Sequence, residues 1–194
     1  QGDEESREFY CEVIIDEAAK MNSMVKRLLS LNELEFGDSK PQFDRFDLMV
    51  VLNSVVNAMN MVYRQKGAES EINGDASCFV WADEYLVEEV ITNYISNALN
   101  HVEEDKNGRK VVSICVRKCE SKVRISVFNT GKPIPEEDVE RIWDKFYKVD
   151  KARTREYGGN GIGLSIVKAI MNSLNRECGV KNWDNGVEFW FELD

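Results

Sequence analysis

Four glycines crowd into six positions at Gly158, Gly159, Gly161 and Gly163, and the chain then runs directly into a helical pattern, "GLSIVKAI". Glycine is the residue that lets backbone approach another group closely, and a helix that begins on exposed N–H groups favours an anion. Any fold this chain adopts must therefore bring a loop-to-helix junction up against something. A dinucleotide fingerprint, G-x-G-x-x-G straight after a strand, does not fit: the spacing is Gly159-x-Gly161-x-Gly163, no strand pattern precedes it, and a hairpin follows the helix. A phosphate loop of the Gly-Lys-Ser/Thr type does not fit either. On pattern alone, two readings stay open: a phosphate at a helix N-terminus, or a glycine-rich turn with no ligand.

The rest of the chain narrows the fold. Residues 4–35 carry Tyr10, Ile14, Met21, Met24, Leu28 and Leu31 at spacings of three, four or seven, widened by Ala18 and Val25. A helix of that span is about 48 Å long at 1.5 Å per residue. Its apolar stripe calls for a partner helix, the alternative being a plain surface helix of the same domain. "EFGDSKP" ends it with glycine and proline. Beyond lie a short strand in "QFDRFDL", one helix over Leu48–Tyr63, a strand in "CFVWAD", a helix from Glu84 to His101, and two antiparallel strands, "KVVSICVRKC" and "KVRISVF". A closing hairpin turns across "DNG". These elements in this order predict an α+β fold: a two-layer sandwich of a mixed β-sheet with helices on one face, preceded by one long N-terminal helix.

Composition removes several function classes. With 35 acidic residues against 25 lysines and arginines, the net charge of −10 argues against nucleic acid as the partner. Five cysteines (11, 78, 115, 119, 178) lack paired ligand spacing, and the single histidine cannot complete a Cys/His centre, so they read as buried reduced thiols with no metal cluster. No apolar run reaches the ~20 residues that span a bilayer.

Three stretches carry chemistry besides the glycines. Glu89, Asn93, Asn97, Asn100 and His101 recur at three- and four-residue spacing on the 84–101 helix, whose other positions are apolar. Such a stripe is either a solvated edge or a set of hard oxygen ligands suited to Mg²⁺ and phosphates. In "VFNTGKPIPEED" a strand ends at Asn129 and turns sharply through Gly131, Pro133 and Pro135, a setting in which a fixed polar side chain reads the edge of a base. Lys145, Lys148, Lys151, Arg153 and Arg155 form a cationic patch immediately before the glycines.

Together "NYISNALNH", "VFNTGKPIP", "DKFYK" and "GGNGIGLSIVKAI" resemble, in order and spacing, the N, G1, F and G2 boxes of sensor histidine kinases, within the ATPase superfamily shared with gyrase, Hsp90 and MutL. The resemblance covers nearly the whole chain and implies a Bergerat-type ATP-binding fold. It implies that residues 1–37 are the second helix of a dimerisation and phosphotransfer hairpin whose first helix bears the acceptor histidine. Residues 38–194 would be the catalytic ATP-binding domain, with a lid at about 132–158. The implied cofactors are ATP and Mg²⁺. Asn97 matches the Mg²⁺ ligand, and Asn93 and Lys148 match groups at the transferring phosphate. Asn100, His101, Asn129, Gly131, Ile134, Phe146, Lys148, Arg153, Gly159, Gly161, Gly163 and Leu164 join Asn97 around the nucleotide. Asn129 stands where the family has an aspartate for the adenine amino group, and Pro133 occupies the second G1 glycine. Asn100 and His101 fall where many relatives have Lys and Tyr. The implied activity is ATP-dependent protein-histidine kinase. The partners would be a response regulator and a second copy of the chain, in the cytoplasmic portion of a membrane-anchored sensor. A non-transferring ATP-binding regulatory module of the same fold is the alternative. A gyrase-type hydrolase would want a glutamate where Asn93 sits, and a coiled-coil adaptor would leave the four boxes without purpose.

Overall fold

A computed structural model of the chain describes residues 2–37, 40–119, 121–149 and 161–194. It divides into two compact units, Gln1–Asp38 and Ser39–Asp194. The first is the helix α1 (Gly2–Phe36), closed by a hydrogen bond from Gly37 N–H to the Glu33 carbonyl at 2.9 Å. Along it Tyr10, Ile14, Met21 and Val25 are more than half exposed.

The second unit opens with β1 (Asp44–Asp47), which runs into α2 (Leu48–Ala58) through an N-cap. Asp47 accepts hydrogen bonds from the N–H groups of Met49 and Cys78 and from the Ser77 hydroxyl; these donors, led by Cys78, hold its carboxyl below the usual carboxylate range. The helix expected over Leu48–Tyr63 is two helices. It breaks at Met59 (φ −90°, ψ 2°), whose N–H is shared between the carbonyls of Val55 and Val56, and resumes as α3 (Asn60–Lys66). Both pieces bury one face, through Val55, Val56 and Tyr63. The three- and four-residue spacing of apolar residues therefore passes through the break unchanged, and the pattern cannot reveal it.

Strand β2 (Ala68–Asn73) lies where no strand is expected. It is short and acidic, exposes Glu69 and Glu71, and takes the sheet edge parallel to β4 (Lys110–Cys119). Charged edge strands escape an alternation test because little of their side-chain surface is buried. Strand β3 (Phe79–Ala82) pairs antiparallel with β1 as a separate two-stranded sheet. After α4 (Glu84–His101) come β4, β5 (Lys122–Thr130), two short 3₁₀ turns at Glu136–Asp138 and Arg141–Trp143, α5 (Gly163–Ser173), β6 (Cys178–Trp183) and β7 (Gly186–Leu193). The main sheet has the order β2-β4-β5-β7-β6, with only the β2–β4 pair parallel. It is the mixed sheet that the sequence predicts.

One face of the sheet is apolar. Ile114, Val127 and Phe189 stand opposite one another in a buried row, with Val116, Ile125 and Phe191 in the next. Helix α4 covers them: Tyr94 packs on Phe189 and Phe191 (ring centroids 5.4 and 6.1 Å) and donates its hydroxyl to the Trp190 carbonyl at 3.2 Å. Burying these large side chains supplies on the order of 1.5–3 kcal/mol each. The other face carries Arg124, stacked 4.1 Å over the Trp190 ring and bonded to Glu192. The cysteines differ from the expectation of buried thiols. Cys78 is buried and Cys115 and Cys178 are half-buried, but Cys11 on α1 and Cys119 at the end of β4 are exposed.

Candidate nucleotide-binding site

Helix α4 is the wall on which the site is built. Asp83 caps it by accepting from Leu86 N–H at 3.1 Å, which fixes where the helix starts and hence which residues face the sheet. With Val87, Val90, Ile91, Tyr94 and Ile95 turned inward, Asn93, Asn97 and Asn100 follow at four- and three-residue steps. Asn93 is buried. Its amide N–H donates back to the Glu89 carbonyl at 2.9 Å, and its Oδ1 points at Gly163, where a Cβ would lie only 3.0 Å away. The glycine lets the start of α5 come into contact with α4. Asn97 and Asn100 are half-buried, and His101 is exposed at the helix end.

The end of β5 meets the end of the same helix. Gly131 (φ +152°) would carry a Cβ 3.0 Å from the His101 carbonyl and 3.5 Å from Asn129 Nδ2, so no other residue fits this turn without displacing backbone. Asn129 is 2% exposed; its Nδ2 donates to the Thr130 carbonyl at 3.1 Å, which leaves Oδ1 as the acceptor. Thr130, which the sequence reading passes over, locks this junction. Its hydroxyl donates to the Glu103 carbonyl at 2.7 Å and accepts from Val111 N–H at 3.1 Å, and its own carbonyl accepts from Glu103 N–H at 2.9 Å. A threonine between Asn129 and Gly131, at the point where the strand ends, was the available signal.

The segment after Gly131 is anchored at several points. Both backbone polar groups of Ile134 bond to the side-chain amide of Asn182. Tyr147 donates its hydroxyl to Asp138, which raises its pKa, and Arg141 lies 4.3 Å over the Tyr147 ring. Trp143 meets Phe189 edge-on at 6.1 Å. Phe146 has φ +65° and is half exposed; its N–H donates to the Gly161 carbonyl at 2.8 Å, and Gly161 (φ +67°) would carry a Cβ 3.0 Å from the Phe146 backbone. A left-handed phenylalanine costs about 1–3 kcal/mol, strain of the kind that gathers at ligand clamps. Lys148 follows, half-buried. Arg153 and Gly159, with Lys151, Arg155 and Gly158, lie outside the described residues.

Helix α5 begins without a side-chain cap: Ile162 precedes it and no acidic residue occupies its first turn. Among the described residues no side chain caps its leading N–H groups, and its positive dipole end favours an anion. Leu164 is half-buried in that turn. The described site thus joins Gly163 to Asn93, Gly161 to Phe146, and Gly131 to Asn129 and the end of α4. An anion-favouring helix start, amide oxygens, a lysine and a buried acceptor are the chemistry of a site for a nucleoside phosphate with a hard cation.

Comparison with known proteins agrees. The profile of the histidine kinase-, DNA gyrase B- and HSP90-like ATPases matches residues 82–194. The chain belongs to that family. Among its relatives, the sensor histidine kinase WalK of Bacillus subtilis (strain 168) is 34% identical over 175 residues, 89% of this chain and 27% of WalK. The nucleotide-free catalytic domain of histidine kinase ThkA superposes with a TM-score of 0.68 at 27% identity, covering 78% of this chain and 95% of that one. ThkA in complex with the response regulator TrrA gives 0.71 at 26% identity, covering 95% of this chain and 50% of that one. The chain spans 27% to 44% of the length of the first curated relatives it matches.

Proposed function

We propose that this chain is the ATP-binding catalytic part of a two-component sensor histidine kinase, presenting the γ-phosphoryl of Mg-ATP to a histidine outside these 194 residues for relay to a response regulator. What carries the reading is convergence: the end of β5 and the start of α5, far apart in sequence, both come so near α4 that a Cβ at Gly131 would lie 3.0 Å from the His101 carbonyl and one at Gly163 would lie 3.0 Å from Asn93 Oδ1.

In this reading Asn129 Oδ1 accepts from the adenine amino group, and Ile134 and Leu164 flank the base. Asn97 ligates Mg²⁺, with Asn93 and Asn100 beside it. The N–H groups of α5 at Gly163 and Leu164, together with Lys148, Arg153 and the glycines 159 and 161, hold the phosphates. A Mg²⁺ held by Asn97 would supply charge neutralisation at the phosphates. The chain's own task is positioning, because phosphoryl transfer draws most of its catalysis from alignment and electrostatics. No general base is required when the acceptor imidazole is itself the nucleophile. His101, the chain's single histidine, sits at the end of α4 beside this site and is assigned to nucleotide binding.

Residues 1–37 are the second helix of the phosphotransfer hairpin and residues 132–158 the ATP lid. The exposed apolar residues of α1 support pairing with a second copy. ThkA's complex with TrrA supports a response regulator as the downstream partner. No helix among the described residues is long and apolar enough to cross a membrane. We place the chain in the cytoplasmic portion of a membrane-anchored sensor. The asparagine at 129 favours one second reading, an ATP-binding module that regulates without transfer. Incubation with γ-labelled ATP distinguishes them, using this chain and a form extended through a histidine-bearing helix. Acid-labile, alkali-stable label on the extended form alone is expected. Mg-ATP binding with no label on either form would leave the regulatory module.

A further inference from the structure

Ile134 lies between Pro133 and Pro135, neither of which has a backbone N–H. Residues that precede a proline are pushed toward extended backbone, so Lys132 and Ile134 are both biased that way. The one amide proton across 133–135 donates to Asn182 Oδ1 at 2.9 Å, and Asn182 Nδ2 donates to the Ile134 carbonyl at 2.7 Å. A single side-chain amide thus engages both polar groups of one residue, as a peptide partner would in a β-ladder.

The position of Asn182 gives the clamp its meaning. It stands on β6, the edge strand of the main sheet, opposite Val187 of β7, which in turn stands opposite Asn129 of β5. Residues directly opposite across neighbouring strands project from the same face. One cross-strand row therefore carries Asn129 at one point and, two strands away, the amide that holds Ile134. The separation between those two is set by strand spacing, about 4.8 Å per strand, and by nothing softer.

We infer that Asn182 is a positioning residue for the nucleotide base: it fixes the Ile134 wall at a set distance from the Asn129 acceptor and so determines how well an adenine fits between them. The inference rests on the nucleotide site proposed above. Asn182 is exposed, and among the described residues Asn182→Ala removes these two side-chain bonds.

The test is calorimetric titration of the full chain, wild type and Asn182→Ala, with ADP and with ATP, each with and without Mg²⁺, alongside amide hydrogen exchange at Ile134 and thermal melting. Losing two hydrogen bonds that orient the wall should weaken ADP and ATP by the same factor, about tenfold. That factor should be equal with and without Mg²⁺, and Ile134 exchange should quicken with the melting temperature unchanged. Faster exchange with unchanged affinity for both nucleotides would overturn the positioning role while leaving the site intact. A loss confined to ATP would also overturn it, moving the effect to the phosphates. A wild-type chain that binds neither nucleotide would instead bring down the nucleotide site, and this inference with it.

Discussion

Tyr63 holds a phenolic oxygen that is buried, 3% exposed as a residue, with no hydrogen-bond partner among the described residues. Burial disfavours the charged form and pushes its pKa up to about 12. An unsatisfied buried hydroxyl costs about 1–3 kcal/mol, so Tyr63→Phe should be neutral or stabilising by up to about 1 kcal/mol in denaturant unfolding. The raised value also fixes a sign. Only the unfolded chain ionises readily between pH 10 and about 12, so wild-type stability falls as pH rises through that window, and Tyr63→Phe should lack that part of the fall. At the site, Asn97→Ala should weaken Mg-ATP binding far more than metal-free nucleotide binding; equal loss in both would remove Asn97 from the metal. Gly163→Ala would put a Cβ 3.0 Å from Asn93 Oδ1. Because that Cβ would push Asn93 and the start of α5 apart at the proposed phosphate end of the site, nucleotide affinity should fall about tenfold or more while the melting temperature shifts by only a few degrees.

The outer face of the sheet offers the cleanest tests of single elements. Gly179 on β6 sits under Trp190, and a Cβ there would lie 2.6 Å from the indole ring, which Arg124 covers from above. Gly179→Ala should therefore destabilise by about 1–3 kcal/mol through overpacking, with nucleotide affinity unchanged because Asn129 projects from the opposite face. Glu192 joins β7 to β5 by bonding Arg124 (2.6 Å) and Lys122 (3.0 Å), and these partners, Arg124 first, hold its carboxyl below its ordinary 4.5. A depressed carboxylate stabilises the fold above its unfolded pKa and loses that contribution as pH falls through the folded one. Glu192→Gln should thus melt below wild type at neutral pH, and the gap should close as pH drops below 4.5. The elements legible in the sequence are those with an apolar spacing or alternation of their own: α1, β1, β3, α4, β4, β5, α5 and the β6–β7 hairpin. The Met59 break and β2 escaped because apolar spacing continues across the one and is nearly missing from the other. At the site, Asn93, Gly131 and Gly163 were legible because glycine and amide spacing mark close backbone approach. Asn182 was not: its contact with Ile134 spans 48 residues and depends on strand register, which no local pattern encodes.

For the whole molecule, the distribution of apolar surface predicts a division of labour. Tyr10, Ile14, Met21 and Val25 on α1 are 64%, 66%, 63% and 53% exposed, and the second unit has a core of its own, from Leu52 and Ile91 to Phe191. A fragment beginning at Lys40 should fold alone and bind nucleotide with the affinity of the full chain. Sedimentation should show self-association only when α1 is present; a fragment that associates equally well would move the dimer contact off α1. The hydrogen bond between Phe146 and Gly161, finally, works as a drawstring. It ties two left-handed residues, Phe146 and Gly161, to one point beside the start of α5. Whatever alters either left-handed residue therefore acts first on the entry to α5, and the row of side chains buried under α4 lies elsewhere.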